Sequence, residues 1–155
     1  MSSKAKSLYA LTNALQPARR VWKQAATVVI AKFGISMSLA TVVVLVYRNP
    51  QGINQRDLAE EVGVNPGALV RLLDQASVLG FLERQEVTDD RRFKTLHILP
   101  EGAKLAKKIE ASVEKLRVKL MHDVPLDDIE TASHILRLFE ERASQYLQQA
   151  GNDSG

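Results

Sequence analysis

The side chains with chemistry to offer lie between Asn65 and Lys94. Arg71, Arg84, Arg91, Arg92 and Lys94 are cationic donors, and Gln75 carries both a donor and an acceptor. Guanidinium groups pair bidentately with phosphates and guanine edges, amides with adenine edges, and an ammonium meets a phosphate as a point charge. Asn65, Pro66, Gly67, Ala68 and Val70 precede most of these donors with capping, small or slim side chains. A helix opening on such residues has a narrow leading end, suited to a groove about 12 Å wide. Asp90, two residues before Arg92, is spaced to hold that guanidinium by a charge-assisted hydrogen bond. The chemistry these types support is non-covalent recognition of a polyanion. Covalent chemistry finds no residues. His97, His122 and His134 are the only histidines and no two stand three or four apart, so helical zinc spacing is missing. Asp89 and Asp90 are adjacent and point apart in an extended loop, and no phosphate-cradling glycine loop or serine–histidine–acid order stands out. No metal, no cofactor and no enzymatic activity are expected.

The elements that must position these groups follow from caps and periodicity. Asn54 is a cap for a first short helix, with Asp57 favouring its positive end. Leu58, Ala59, Val62, Val64, Leu69 and Leu72 are spaced to fill the angle between two crossing helices, with Gly63 in the turn. Asn65 and Pro66 make a cap and first-turn pair for the second helix, which Gly80 ends. Its expected buried stripe is Leu69, Leu72, Leu73, Ala76 and Leu79. Phe81–Gln85 and Thr95–Leu99 read as two short strands around the polar run EVTDDRRFK. A hairpin directly after a helix-turn-helix is a wing, and its basic tip is placed to reach phosphates or the minor groove.

The segments LAEEVGV, PGALVRLLDQ, GFLER and DDRR together resemble the MarR family of bacterial transcription regulators, and within it the SlyA-like branch. The resemblance implies a winged helix-turn-helix, a homodimer and sequence-specific binding of double-stranded DNA, as a repressor or activator. The family's wing motif, an acid, any residue, then arginine, falls on Asp90, Arg91 and Arg92, and its recognition-helix arginine on Arg71. Pro100, where threonine is usual, and Ala76, where a larger residue is common, depart from the pattern away from the DNA-reading positions.

Charge alone argues less. Net charge is +3, and residues 1–56 hold eight Lys or Arg and no acid, whereas residues 57–94 hold five Lys or Arg and eight acids. We read Asp57, Glu60, Glu61, Glu83 and Glu86 as facing solvent away from a groove, so electrostatics supports nucleic-acid binding only weakly. The acid count motivates a rival: a winged-helix protein-interaction module without DNA binding. Absence of cysteine removes disulfides, thiolate metal sites and cysteine redox sensing. The opening MSSKAKSLYALTNALQ lacks the apolar core of a signal peptide, which leads to an expected bacterial cytoplasmic location, at the nucleoid.

At 155 residues the chain is expected to be a single domain, mainly α with a small β-hairpin (α+β): residues 36–99 the winged helix-turn-helix, 1–33 and 101–150 helical dimerisation parts, 151–155 a disordered polar tail. Leu8, Leu11, Leu15, Ala18, Trp22, Ala25 and Val29 recur at steps of three and four, a seam for another helix. Pro17 interrupts it, so a kink or a fresh start is expected there. A helix from about Ser36 to Arg48, apolar nearly all round, should be the buried centre; it is too short to span a bilayer needing about 20 residues. After the wing, a helix from Pro100 to about Met121 carries Leu105, Ile109, Val113, Leu116 and Leu120. A last helix starting near Pro125 carries Ile129, Ala132, Leu136, Phe139, Ala143 and Tyr146, a second seam. Trp22 reads either as core packing or, as the resemblance implies, as lining with Met37 a cleft for a small aromatic carboxylate effector.

Overall fold

A computed structural model describes residues 1–86 and 94–155. In chain order it holds α1 (Ser3–Ile30), a 3₁₀ turn (Ala31–Phe33), α2 (Met37–Tyr47), β1 (Ile53–Asn54), α3 (Gln55–Val62), α4 (Pro66–Val78), β2 (Leu82–Glu86), β3 (Lys94–Ile98), α5 (Pro100–Met121) and α6 (Leu126–Asp153). Two compact units divide it, residues 1–117 and 118–155.

In the first unit α2 is the centre, as its unbroken apolar run MSLATVVVLVY requires. Ser36 caps it by accepting from the Leu39 amide at 3.1 Å. Leu39, Val42, Val43 and Val46 are buried and meet Leu58 and Ala59 of α3, Leu69, Leu73 and Ala76 of α4, Leu82 of β2, Leu96 of β3 and Ala106 of α5 in one cluster. Each fully buried leucine or valine contributes about 1.5–3 kcal/mol of transfer free energy, so this cluster dominates the unit's stability. A satellite cluster of Ile30, Ala40, Ile109 and Val113 joins α1, α2 and α5, with Trp22 and Met37 packed on it. No single described helix is long and apolar enough to cross a membrane; α1 with its 3₁₀ extension meets α2 at a bend of 87°.

The hairpin forms with β2 and β3 antiparallel, Leu82 opposite Ile98 and Glu86 opposite Lys94, so both strands lie one residue off the expected Phe81–Gln85 and Thr95–Leu99. A third strand, β1, was not foreseen; it pairs with β3 through Ile53–Leu96 and Asn54–Thr95, giving the order β1-β3-β2. Gly102 explains how α5 returns to the sheet. A Cβ there would lie 2.0 Å from the Phe81 carbonyl oxygen, so only glycine lets the first turn of α5 approach that backbone.

Three expectations need correcting. Pro17 starts no new helix: α1 runs continuously through it. Asn13 to Arg19 are all exposed, so the carbonyl that proline leaves without a donor is open to water. Leu79 is not part of the buried stripe. It is 48 % exposed at the C-cap of α4, where Gly80 (φ +77°) turns the chain away, while Leu69, Leu73 and Ala76 are buried and Leu72 is half-buried. In the second unit the polar C-terminal stretch is mostly helical, because α6 continues to Asp153. No residue of α6 is buried, and Leu136, Phe139 and Tyr146 of its seam are exposed.

Candidate nucleic-acid interface

The site grows from two caps. Asn54 accepts from the Asp57 amide at 2.8 Å and donates its side-chain amide to the Asp57 carboxylate at 2.8 Å, fixing the start of α3. Gly63, at φ +78°, closes α3 in the left-handed conformation that lets the chain turn into α4. Asn65 then caps α4, accepting from Ala68 at 2.8 Å, with Pro66 in the first turn where its missing N–H costs nothing.

α4 buries Leu69, Leu73 and Ala76 and turns the opposite face outward. Pro66, Gly67, Val70, Arg71, Asp74, Gln75 and Val78 are exposed along that face, and Ala68 is half-buried at its edge. The expected groups Asn65, Pro66, Gly67, Val70, Arg71 and Gln75 therefore share one element and one outward surface. Lys94 begins β3 and is exposed. Asp90, Arg91 and Arg92 lie outside the described residues.

Arg84 takes a position the sequence did not suggest. Its Nη2 donates to Asp74 Oδ1 at 3.0 Å, and its side chain is 29 % exposed. The pair ties β2, the root of the hairpin, to the outward face of α4. It also occupies the one carboxylate on that face, which lowers its repulsion of a polyanion. The acids expected to face solvent do so where they are described: Asp57, Glu60, Glu61 and Glu83 are exposed.

A second concave region lies among α1, α2 and α5, a cleft of about 250 Å³. Trp22 and Met37, singled out from the sequence, both line it, so Trp22 serves as packing and as cleft wall at once. Sequence reading missed the polar groups there. Arg117 stacks over the Trp22 ring at 5.5 Å from its centroid. Arg48 donates through Nε to Glu110 at 2.6 Å across the cleft's rim, joining the end of α2 to α5. No local spacing signals a pair 62 residues apart.

Residues 33–92 match the model of the MarR family. Among solved structures, the chain is similar to the transcriptional regulator PA3341, at 24 % identity with a TM-score of 0.79, covering 87 % of this chain and 98 % of that one. It is also similar to CouR from Rhodococcus jostii RHA1, bound to p-coumaroyl-CoA, at 21 % identity and a TM-score of 0.70, covering 82 % and 88 %. A third similar structure is NadR in complex with 4-hydroxyphenylacetate, at 18 % identity and a TM-score of 0.73, covering 83 % and 91 %. At these identities the likeness is one of fold.

Proposed function

From the premise that residues 33–92 are a MarR-family winged helix-turn-helix, we propose that the protein is a homodimeric transcription regulator that binds a pseudo-palindromic operator. Each copy lays α4 in a major groove and its hairpin against the adjoining minor groove, with half-sites about one helical turn apart. The observation that carries this reading is the outward face of α4, where Gly67, Val70, Arg71 and Gln75 stand clear of the core and Arg84 anchors the hairpin to the same helix through Asp74. Arg71 and Gln75 supply groups for base edges or phosphates; Asn65, Pro66, Gly67 and Ala68 keep the leading end slim. Arg91 and Lys94 are assigned to phosphates, and Arg92, oriented by Asp90, to the minor groove; the assignments for Asp90, Arg91 and Arg92 rest on the sequence.

The partner of the exposed seams is a second copy. Leu8 and Leu15 of α1 and Leu136, Phe139 and Tyr146 of α6 present apolar surface at helical spacing. The cleft beside Trp22 is assigned to a small aromatic carboxylate that modulates binding. Its size fits one ring, Arg117 supplies a cation, and the similar NadR structure holds 4-hydroxyphenylacetate.

Selection of full-length protein on random duplex DNA tests the central reading. An enriched inverted repeat is expected. Enrichment of nothing would leave the protein-interaction module, motivated by the acids of residues 57–94, as the better account.

A further inference from the structure

The outward face of α4 has a feature that cations and amides do not explain. Val70 stands on its α3 side, 41 % exposed, with Gly67 one turn before it and Arg71 beside it. Gly67 has no side chain, so the valine stands proud of a low surface. Asp74, one turn further on, is held by Arg84 at 3.0 Å and is not a free acceptor next to it. A mostly apolar groove of about 530 Å³ runs between α3 and α4, lined by Ala59, Val64, Leu69 and Val70 with Pro66, and by the polar side chains of Gln55, Arg56 and Glu60. Pro66 and Val70 belong both to the groove and to the outward face, so the two are continuous.

An apolar side chain pressed onto base edges must meet an apolar group, because a donor or acceptor covered by it would lose its water and gain no partner. The major-groove edges carry one such group of matching size, the 5-methyl of thymine. Building on the DNA-binding reading, we infer that Val70 is a specificity-determining residue that selects thymine. Its two γ-methyl groups pack on a thymine methyl in each half-site, and the groove behind it receives what the valine does not cover. The neighbouring Arg71 and Gln75 read polar edges, so each half-site contains a thymine recognised by shape alone.

The experiment removes a methyl and nothing else. Operators selected with the full-length protein are resynthesised with deoxyuridine replacing one thymine at a time, symmetrically in both half-sites. Binding is followed by fluorescence anisotropy. At one thymine position per half-site, the replacement weakens the wild-type protein about fourfold for each methyl lost, while other positions change little. The Val70→Ala protein binds the thymine and deoxyuridine duplexes within about twofold of each other. Its urea midpoint matches wild type, because residue 70 is on the surface. Equal wild-type affinity for every deoxyuridine duplex, or full thymine preference retained by Val70→Ala, overturns the inference and leaves DNA binding standing. A selection that enriches no sequence overturns both.

Discussion

Arg84 on β2 and Asp74 on α4 are joined at 3.0 Å, so the strand that roots the hairpin is held to the outward face of the helix before it. The two elements proposed to meet neighbouring grooves of one duplex are thereby tied to each other. An ion pair this exposed adds at most about 1 kcal/mol to stability. Its effect belongs to geometry and charge, not to folding.

The Asp74→Ala protein is accordingly expected to unfold within about 1 kcal/mol of wild type in urea. Its affinity for a selected operator should fall several-fold, whereas its affinity for scrambled duplex should hold or rise, since an acid has left the DNA-facing surface. Anisotropy titrations on the two duplexes measure the ratio. An unchanged ratio would remove Asp74 from the recognition apparatus.

Gly102 and Gly67 make a matched pair for stability. The Gly102→Ala methyl would meet the Phe81 carbonyl at 2.0 Å and Ile98 Cδ1 at 2.8 Å, so backbone must shift and a loss of about 1–3 kcal/mol is expected. Gly67→Ala adds a methyl whose nearest neighbour is Asn65 Oδ1 at 3.5 Å, and it gains up to about 1 kcal/mol of helix propensity. Urea unfolding of both proteins separates the two effects. The Gly67 variant should be at least as stable as wild type yet bind DNA less well, because its methyl widens the leading end of α4.

How much of this was legible in the sequence depends on how local the cause is. The starts of α2, α3 and α4 were legible because Ser36, Asn54 and Asn65 each accept an amide three residues on, a spacing written in the chain itself. β1 was not, since two residues carry no period and its partner strand begins some forty residues later. Of the two outcomes expected at Pro17, the fresh start does not occur, since α1 runs through it and the carbonyl left without a donor lies in an exposed stretch. Leu79 misled: its place in the stripe is right, but the chain leaves the helix there. Of the candidate site, the helix-borne groups were legible from cap and period. The Asp74–Arg84 and Arg48–Glu110 pairs were not, because each depends on how elements cross.

Trp22 is the chain's single tryptophan, and it lines the cleft. Titration with salicylate or 4-hydroxyphenylacetate at millimolar concentration should change its emission and release heat in calorimetry. Arg117→Ala removes the cation stacked on the ring and should weaken that binding about tenfold, the low end for one charge-assisted contact, as suits an exposed side chain. Absence of heat from wild-type protein would leave the cleft without an aromatic acid.

The seams make their own prediction. Phe139 is 42 % exposed on α6. Phe139→Asp places a charge where the proposed partner copy must pack, and multi-angle light scattering should show single chains where wild type shows pairs. Operator affinity should fall with the loss of pairing, since each copy then grips one half-site alone. A wild-type protein that already runs as a single chain would contradict the dimer.

The wing can be weighed by salt. Arg92→Ala should weaken operator binding and lower the slope of log K against log salt by about two for the pair of copies, since each loses one minor-groove cation that displaces counterions from the DNA. Unchanged affinity and slope would separate the hairpin from the DNA.

The most direct measurement of the whole account is dimethyl sulfate protection on the selected operator, because the reagent reports guanine N7 in the major groove and adenine N3 in the minor groove. The account predicts two clusters of protected guanines, centred about one helical turn apart, each flanked by protected adenines. Protection in a single cluster, or in one groove only, would contradict it.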